Sequence, residues 1–353
     1  MSSSAEALSG LPYETGLTLA DYEIIVDVEN QLATNRDKAK EEGEQLRHLL
    51  GDRFEIRHVL TDPDKLETAL IIEEAMGDEA DKCVVFVRTG DGGNGGPTRA
   101  AIGRGAALWK ANAGLADNLG RASFPRRHRS NPETIIERSR IVRTRPLYTK
   151  VLTADGGTIY RGYFADEFGI GHMADAQIER EKPEHREHLS KLGAVRARLL
   201  DAKVGKAAMD AAPHFKARVE VRNINKNHDG AVTEEDGEVL DEQIGEFDEL
   251  FWTNIGKIAL YGRIRDSHMT DPKMVQISKR YRTKLGPIGY HLRLFTVGVS
   301  GEDIPDGQLV KVEMLTDANA QGSGDPFTIA KGSIVKVRRS TRDLFVVTTK
   351  KRP

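Results

Sequence analysis

Cys83-Val84-Val85-Phe86-Val87-Arg88-Thr89-Gly90-Asp91-Gly92-Gly93 is the stretch on which the fold turns. Its unbroken apolar run, closed off by turn formers, reads as a strand covered on both faces, the kind found in parallel sheets. The glycines that follow let the backbone approach a ligand closely, often a phosphate. Ligands of open α/β sheets sit at that C-terminal edge of the strands.

Upstream, Tyr22-Glu23-Ile24-Ile25-Val26 reads as a first strand and the polar segment from Arg36 to Leu50 as a helix. Phe54 to Leu60 alternates as a second strand and ends at Thr61-Asp62-Pro63, a turn or helix start. Leu66, Ala69, Leu70, Ile72 and Ala75 then recur at helical spacing up to Met76. Strand–helix–strand–helix–strand predicts an α/β domain with a parallel, helix-covered sheet over residues 21–142, after a loose tail at 1–20.

Beyond Arg121 the chain becomes basic and then rich in strands. Leu147–Thr153 and Thr158–Phe164 flank Asp155-Gly156-Gly157, whose residues tolerate the positive φ of a hairpin turn. A polar helical excursion spans 174–211. Strands follow at Phe215–Val221, Glu249–Thr253, Leu309–Met314, Ile334–Val337 and Leu344–Thr348. This predicts a second, mostly antiparallel β-sandwich domain over 143–340, giving an α+β whole. Residues 341–353 supply a C-terminal strand that can return to the first domain. There is no internal repeat.

The 353 residues suffice for two cores, and 39% hydrophobic with 30% charged residues suits a water-soluble chain. A formal charge of −2 argues against nucleic acid as a partner of the whole molecule. The single cysteine, Cys83, cannot form an internal disulfide, so a reducing cytoplasm is the expected compartment. No run approaches the roughly 18 apolar residues that would span a bilayer, and the first residues lack a signal-peptide core.

Thr89-Gly90-Asp91-Gly92-Gly93 resembles the Gly-Gly-Asp-Gly-Thr signature of the diacylglycerol kinase and related lipid kinase family, which shares its nucleotide-binding fold with NAD kinases and 6-phosphofructokinases. Thr89 replaces the first glycine and Gly93 the threonine. A bare Gly-Asp-Gly is also an ordinary turn; its place after a short apolar strand and the order of the other segments favour the resemblance. Where the family's first strand ends in Asn-Pro-x-x-Gly, this chain has Asp27-Val28-Glu29-Asn30. Thr61 matches a family threonine in type and position, and is equally suited to cap a helix. The next block resembles Leu-Trp-Gly-Gly-Asn-Ala through Leu108-Trp109-Lys110-Ala111-Asn112-Ala113, or Gly-Thr-x-Asn-Asp-Leu-Ala-Arg through Gly114 to Arg121, with Asp117-Asn118 inverted. The two alignments exclude each other. Lys110 could serve as a point charge for phosphate, or its stem could fill the space a glycine leaves.

Later segments continue the resemblance. Arg145-Pro146-Leu147, Asp155-Gly156, Tyr163-Phe164 and Phe168-Gly169-Ile170-Gly171 with Ala174 are similar to the family's strand pair and Phe-Gly-x-x-Ala turn. Phe251-Trp252-Thr253-Asn254 resembles the segment whose asparagine follows a strand facing the cleft, and Asp271-Pro272 stands where the family has Asp-Gly. Gln321-Gly322-Ser323-Gly324-Asp325-Pro326 resembles Gln-x-Asp-Gly-Glu, whose aspartate is the family's proposed general base; here that position is Ser323 and the nearby acid is Asp325.

The resemblance implies ATP with Mg²⁺ as cosubstrates and transfer of the γ-phosphate to a lipid hydroxyl such as that of diacylglycerol. Phosphoryl transfer needs positioning, charge neutralisation and a base for the acceptor hydroxyl. Gly90, Gly92 and Gly93 would approach the phosphates, Asp91 and Asp271 the metal, and Thr61, Asn112, Asp117 and Asn118 the nucleotide. Asp325 would stand in for the base at Ser323, because a serine accepts no proton without a base of its own. The alternative is a catalytically weakened relative that binds a nucleotide or lipid as a sensor or scaffold.

Three further patterns complete the reading. Asn225 to Asp236 copies a calcium-loop spacing, but follows an alternating segment and lacks the final glutamate, so a polar hairpin is the simpler expectation. Arg126, Arg127 and Arg129 could bring the chain to an anionic membrane surface, or form a solvated linker. An exposed edge strand could pair two copies into a homodimer. The histidines show no zinc-ligand spacing with cysteine, and no Walker phosphate loop is present.

Overall fold

The computed structural model describes residues 14–30, 36–62, 65–88, 95–111, 118–125, 128, 132–185, 203–204, 207, 211, 214–226, 232–255, 257–258, 262–265, 273–278, 299–323 and 325–350. The first half runs β1 (Ile24–Glu29), α1 (Arg36–Leu50), β2 (Glu55–Leu60), α2 (Lys65–Met76), β3 (Cys83–Val87), α3 (Gly95–Ala101), β4 (Ala107–Lys110), α4 (Asn118–Ser123), α5 (Pro132–Arg138) and β5 (Arg140–Thr144). The second half contains β6 (Leu147–Leu152), β7 (Thr158–Phe164), β8 (Glu167–Gly171), α6 (His172–Glu181), β9 (Phe215–Lys226) and β10 (Val232–Thr253). It continues with β11 (Lys257–Ile258), β12 (Gly262–Arg265), β13 (Lys273–Ser278), β14 (Val299–Ser300) and β15 (Glu302–Asp303). Last come β16 (Gln308–Met314), β17 (Ala318–Gly322), β18 (Asp325–Ile329), β19 (Ile334–Arg339) and β20 (Leu344–Thr348).

One sheet has the order β2-β1-β3-β4-β20-β5. Its first four strands and β20 form parallel pairs, with Ile25 opposite both Ile56 and Val84, and only β5 runs antiparallel, against β20. Every residue of β3 is buried, as expected of a strand with helices over both faces. Val26, Val85, Leu108 and Val346 point into one core cluster; Ile25, Val84, Phe86, Trp109 and Val347 point into the other. The alternation follows the two-residue period of a strand. Helix α3 has only seven residues, mostly small and buried, so a full strand–helix–strand crossover fits into the short span before Leu108. The Leu108-Trp109-Lys110 block itself is part of strand β4.

β6–β10 and β16–β19 form an antiparallel sheet of order β18-β17-β8-β10-β9-β16-β19-β6-β7, with β13 and β15 attached beside β10, while β11, β12 and β14 make a small third sheet. The two facing layers expected of a sandwich are the walls of this one sheet, which curls around a single core cluster. Its opposite ends meet: Tyr160 of β7 stacks on Phe327 of β18 at 5.1 Å, and Phe164 of β7 lies against Gly322 of β17. The physical reason is β10, which is 22 residues long. It pairs with β9 up to Phe247, with β13 from Phe247 onward and with β8 from Glu249 onward, joining what would otherwise be separate sheets.

Ala165, Met173, Phe251 and Ile255 from the second half share a core cluster with Val28, Val87, Ile102 and Leu108 from the first. The C-terminal edge of the parallel sheet therefore lies against the β8–β10 wall. No helix among the described residues is long and apolar enough to cross a membrane.

Candidate functional site

At the C-terminal edge of the parallel sheet, Arg88 follows β3 and is 1% exposed. Its Nε donates to Asp27 Oδ1 at 2.6 Å, a second nitrogen donates to Asp27 Oδ2, and the third reaches Glu29. This two-pronged match of guanidinium to carboxylate is the geometry that makes a buried pair tolerable. Burial works against the Arg88 charge, yet the hydrogen bond and charge of Asp27, followed by the charge of Glu29, carry its pKa upward. Helix α1 crosses over the guanidinium at Gly43, where a Cβ would lie 2.3 Å from Arg88 Cζ. Lys110, 2% exposed, turns its Nζ to the Arg88 carbonyl at 3.1 Å. The ammonium thus braces the strand end that leads into the glycine loop. Thr61 sits directly after β2, its amide donating to the Glu29 carbonyl at 2.9 Å and its hydroxyl lying 3.5 Å from Asn30 Oδ1.

Facing this edge is a buried polar group at the connection between β7 and β8. Asp166 Oδ1 accepts from Ser323 Oγ at 2.6 Å and from the Glu167 amide at 2.9 Å. The Asp166 carbonyl accepts from Thr253 Oγ1 at 3.1 Å and from the Asn254 amide at 3.2 Å, which fixes the end of β10 beside it. Gln321 Nε2 reaches Glu167 Oε1 at 3.3 Å. Asn254 is fully buried, and neither atom of its side-chain amide has a hydrogen-bond partner among the described residues. Such a group in a native protein calls for a ligand or water. Helix α3, which starts where the glycine loop ends, packs against β7. Tyr160 on β7 has its phenol pKa pushed up by burial and then by the Asp166 charge.

Ser323 is the only non-glycine residue with positive φ among the described ones, at +50°. Backbone in that region is strained for a side chain and tends to cluster at functional positions. Gly322 pairs with Asp325, so Ser323 lies in the tight connection between β17 and β18 and does not share a strand with Asp325. The structure brings Ser323 to a carboxylate, and that carboxylate is Asp166. No motif of the sequence marks Asp166; the signal it offers is an acid two residues after the buried end of a strand, next to a second acid. Asn118 opens α4. Gly90, Asp91, Gly92, Gly93, Asn112, Asp117 and Asp271 lie outside the described residues, as do Arg126, Arg127 and Arg129. In the 225–236 stretch, β9 runs to Lys226 and β10 begins at Val232, paired antiparallel with it; 227–231 lie outside the described residues.

No family model matches the sequence, and no curated protein matches it. The fold, in contrast, is shared with solved structures of proteins from Bacillus anthracis str. Sterne assigned as diacylglycerol kinases. One has a TM-score of 0.54 at 12% identity, covering 93% of this chain and 99% of that one. A second has a TM-score of 0.55 at 12% identity over 92% of this chain and 95% of that one. A third has a TM-score of 0.55 at 10% identity over 92% and 96%. The likeness covers most of the chain and establishes a diacylglycerol kinase-like fold.

Proposed function

We propose that this chain, built on a diacylglycerol kinase-like fold, transfers the γ-phosphate of ATP to a lipid hydroxyl, diacylglycerol being the first acceptor to test. The observation that carries the reading is the carboxylate of Asp166 hydrogen-bonded to Ser323. Ser323 occupies the sequence position of the family's proposed base, and Asp166 supplies from a neighbouring connection the acid that position lacks. Asp166 takes the proton of the acceptor hydroxyl as its oxygen bonds to the γ-phosphorus, and ADP leaves with the electrons of the broken P–O bond.

Asn254 offers a donor and an acceptor to the bound substrate. Gly90, Gly92 and Gly93 let the backbone approach the phosphates, while Thr61, Asn112, Asp117 and Asn118 contact the nucleotide. Asp91 and Asp271 would hold Mg²⁺, which when bound neutralises phosphate charge. Asp325, across the turn from Ser323, adds negative potential beside the base. Arg126, Arg127 and Arg129 would hold the protein at an anionic lipid surface, and β2, the exposed edge of the parallel sheet, is where a second copy would pair.

A second reading, a nucleotide- or lipid-binding sensor without turnover, is favoured by particular departures. Thr89 and Gly93 alter the glycine loop, and Lys110 occupies a glycine position of the resemblance with its side chain buried. Labelled-ATP transfer to a panel of lipids in mixed micelles with Mg²⁺, for wild type and Asp91→Asn, decides between the two. Label in a lipid that disappears in the variant supports the kinase and names its acceptor; bound ATP with no labelled lipid supports the sensor.

A further inference from the structure

Apart from that site, His172, His214 and Asp248 converge from three elements, with ligand atoms all within 4.8 Å of one another. His172 is the first residue of α6, His214 immediately precedes β9, and Asp248 lies in β10. His172 and Asp248 are 2% and 1% exposed, while the His214 side chain is 24% exposed. His214 Nδ1 contacts Asp248 Oδ1, and His172 Nε2 stands 3.8 Å from that same oxygen.

We propose that these residues form a binding site for one divalent transition-metal ion of the zinc class. Two imidazole nitrogens and one carboxylate oxygen suit zinc, whereas magnesium and calcium favour all-oxygen sets. Two imidazole rings face the same Asp248 oxygen. Ligands of a tetrahedral ion with bonds of about 2.1 Å stand roughly 3.4 Å apart, so an ion would draw His172 in slightly and part His214 from Asp248 Oδ1. Three protein ligands leave a fourth position, on the side of half-buried His214, for water or another small ligand.

The backbone is arranged for this meeting. Gly171 has φ +109°, and a Cβ there would lie 2.4 Å from the Asp248 carbonyl oxygen, so glycine lets β8 deliver His172 against Asp248. The pairing of β10 with β13 passes from Phe247↔Ser278 to Glu249↔Ile277, leaving Asp248 as the extra residue of a bulge. Bulges re-aim a side chain out of the regular pleat. The start of α6 is already served by Glu249, which accepts from the Met173 amide at 2.8 Å, so Asp248 is not needed as its cap. The three ligands are far apart in sequence and include no cysteine. Spacing alone therefore gives no sign of the cluster, which only the fold brings together.

A metal here would tie α6, the start of β9 and β10 together. The test uses the full chain, stripped with chelator, desalted and titrated with Zn²⁺ and separately with Co²⁺. The expected result is saturation at one ion per chain, a visible cobalt spectrum of a four-coordinate site, and a higher unfolding midpoint with metal. His214→Ala, at the partly exposed ligand, and His172→Gln should each weaken binding by more than about tenfold, since even groups that only orient a ligand matter by that much. If His172→Gln fails to fold, His214→Ala with unchanged circular dichroism carries the test alone. Absence of saturable binding to folded wild type, or unchanged affinity in folded His214→Ala, would overturn the proposal.

Discussion

Replacing Arg88 with Met removes the guanidinium but keeps an unbranched side chain of similar length. Asp27 is 0% exposed and would lose both of its close contacts with Arg88. Arg47 stands 4.0 Å from Asp27 Oδ2, but its side chain is 54% exposed and pairs only weakly. Glu29, with its side chain 31% exposed, can turn to water. The loss is thus dominated by one stranded buried carboxylate, about 3–5 kcal/mol. Urea unfolding followed by tryptophan fluorescence measures it, because Trp109 packs edge-on against Phe86 at 4.8 Å in the same sheet. The double variant Asp27→Leu/Arg88→Met removes both charges and should recover most of that loss. Arg88→Met as stable as wild type, or a double variant no better than the single one, would refute the idea that this pair holds the sheet edge together.

Other consequences are equally open to measurement. Gly43→Ala gains helix propensity of about 1 kcal/mol, but its Cβ meets the fixed Arg88 guanidinium, so a net loss of about 1–3 kcal/mol is expected in the same urea assay. Asp175 has its pKa raised by burial, against the lowering effect of its hydrogen bond from Asn319. Its ionised form is disfavoured in the folded state, so stability falls as pH rises through the raised value. Asp175→Asn should therefore melt higher than wild type at pH 7, with the gap closing toward pH 3; a constant gap would contradict this. Burial pushes the Cys83 thiol up to about 11, and its Sγ lies 3.2 Å from the Glu79 carbonyl. At pH 8 a thiol reagent should label it only as the protein unfolds, and rapid labelling of native protein would show the strand to be open.

Strands β1 and β3 and helix α2 are legible because each is a single apolar pattern of adequate length, and helix α1 because it is a polar segment set between two such strands. Strand β4 was not, since its four residues carry no alternation and end in a lysine that reads as a ligand-binding group until its Nζ is seen on a backbone carbonyl. The β-rich half was legible as antiparallel strands, but not as one curled sheet. The continuity depends on β10, whose middle, around Asp241-Glu242-Gln243, lacks the alternation of a buried strand: its large apolar residues Val239, Leu240 and Ile244 are exposed. Ser323 was visible as the departure from a motif. Asp166 was not, because its role arises from a contact between residues far apart in the chain. The Asp27–Arg88 pair is illegible in the sequence for the same reason: a carboxylate inside an apolar strand shows its meaning only beside its partner.

The most direct test of the kinase reading is transfer from labelled ATP to diacylglycerol in Mg²⁺-containing micelles, comparing wild type with Asp166→Asn at matched fold and ATP binding. Loss of a general base lowers such a rate by about 10²–10⁴-fold. The account predicts labelled lipid with wild type and a loss of that size in the variant. Wild-type transfer that survives unchanged in Asp166→Asn, or no transfer by protein that binds both ATP and lipid, would contradict it.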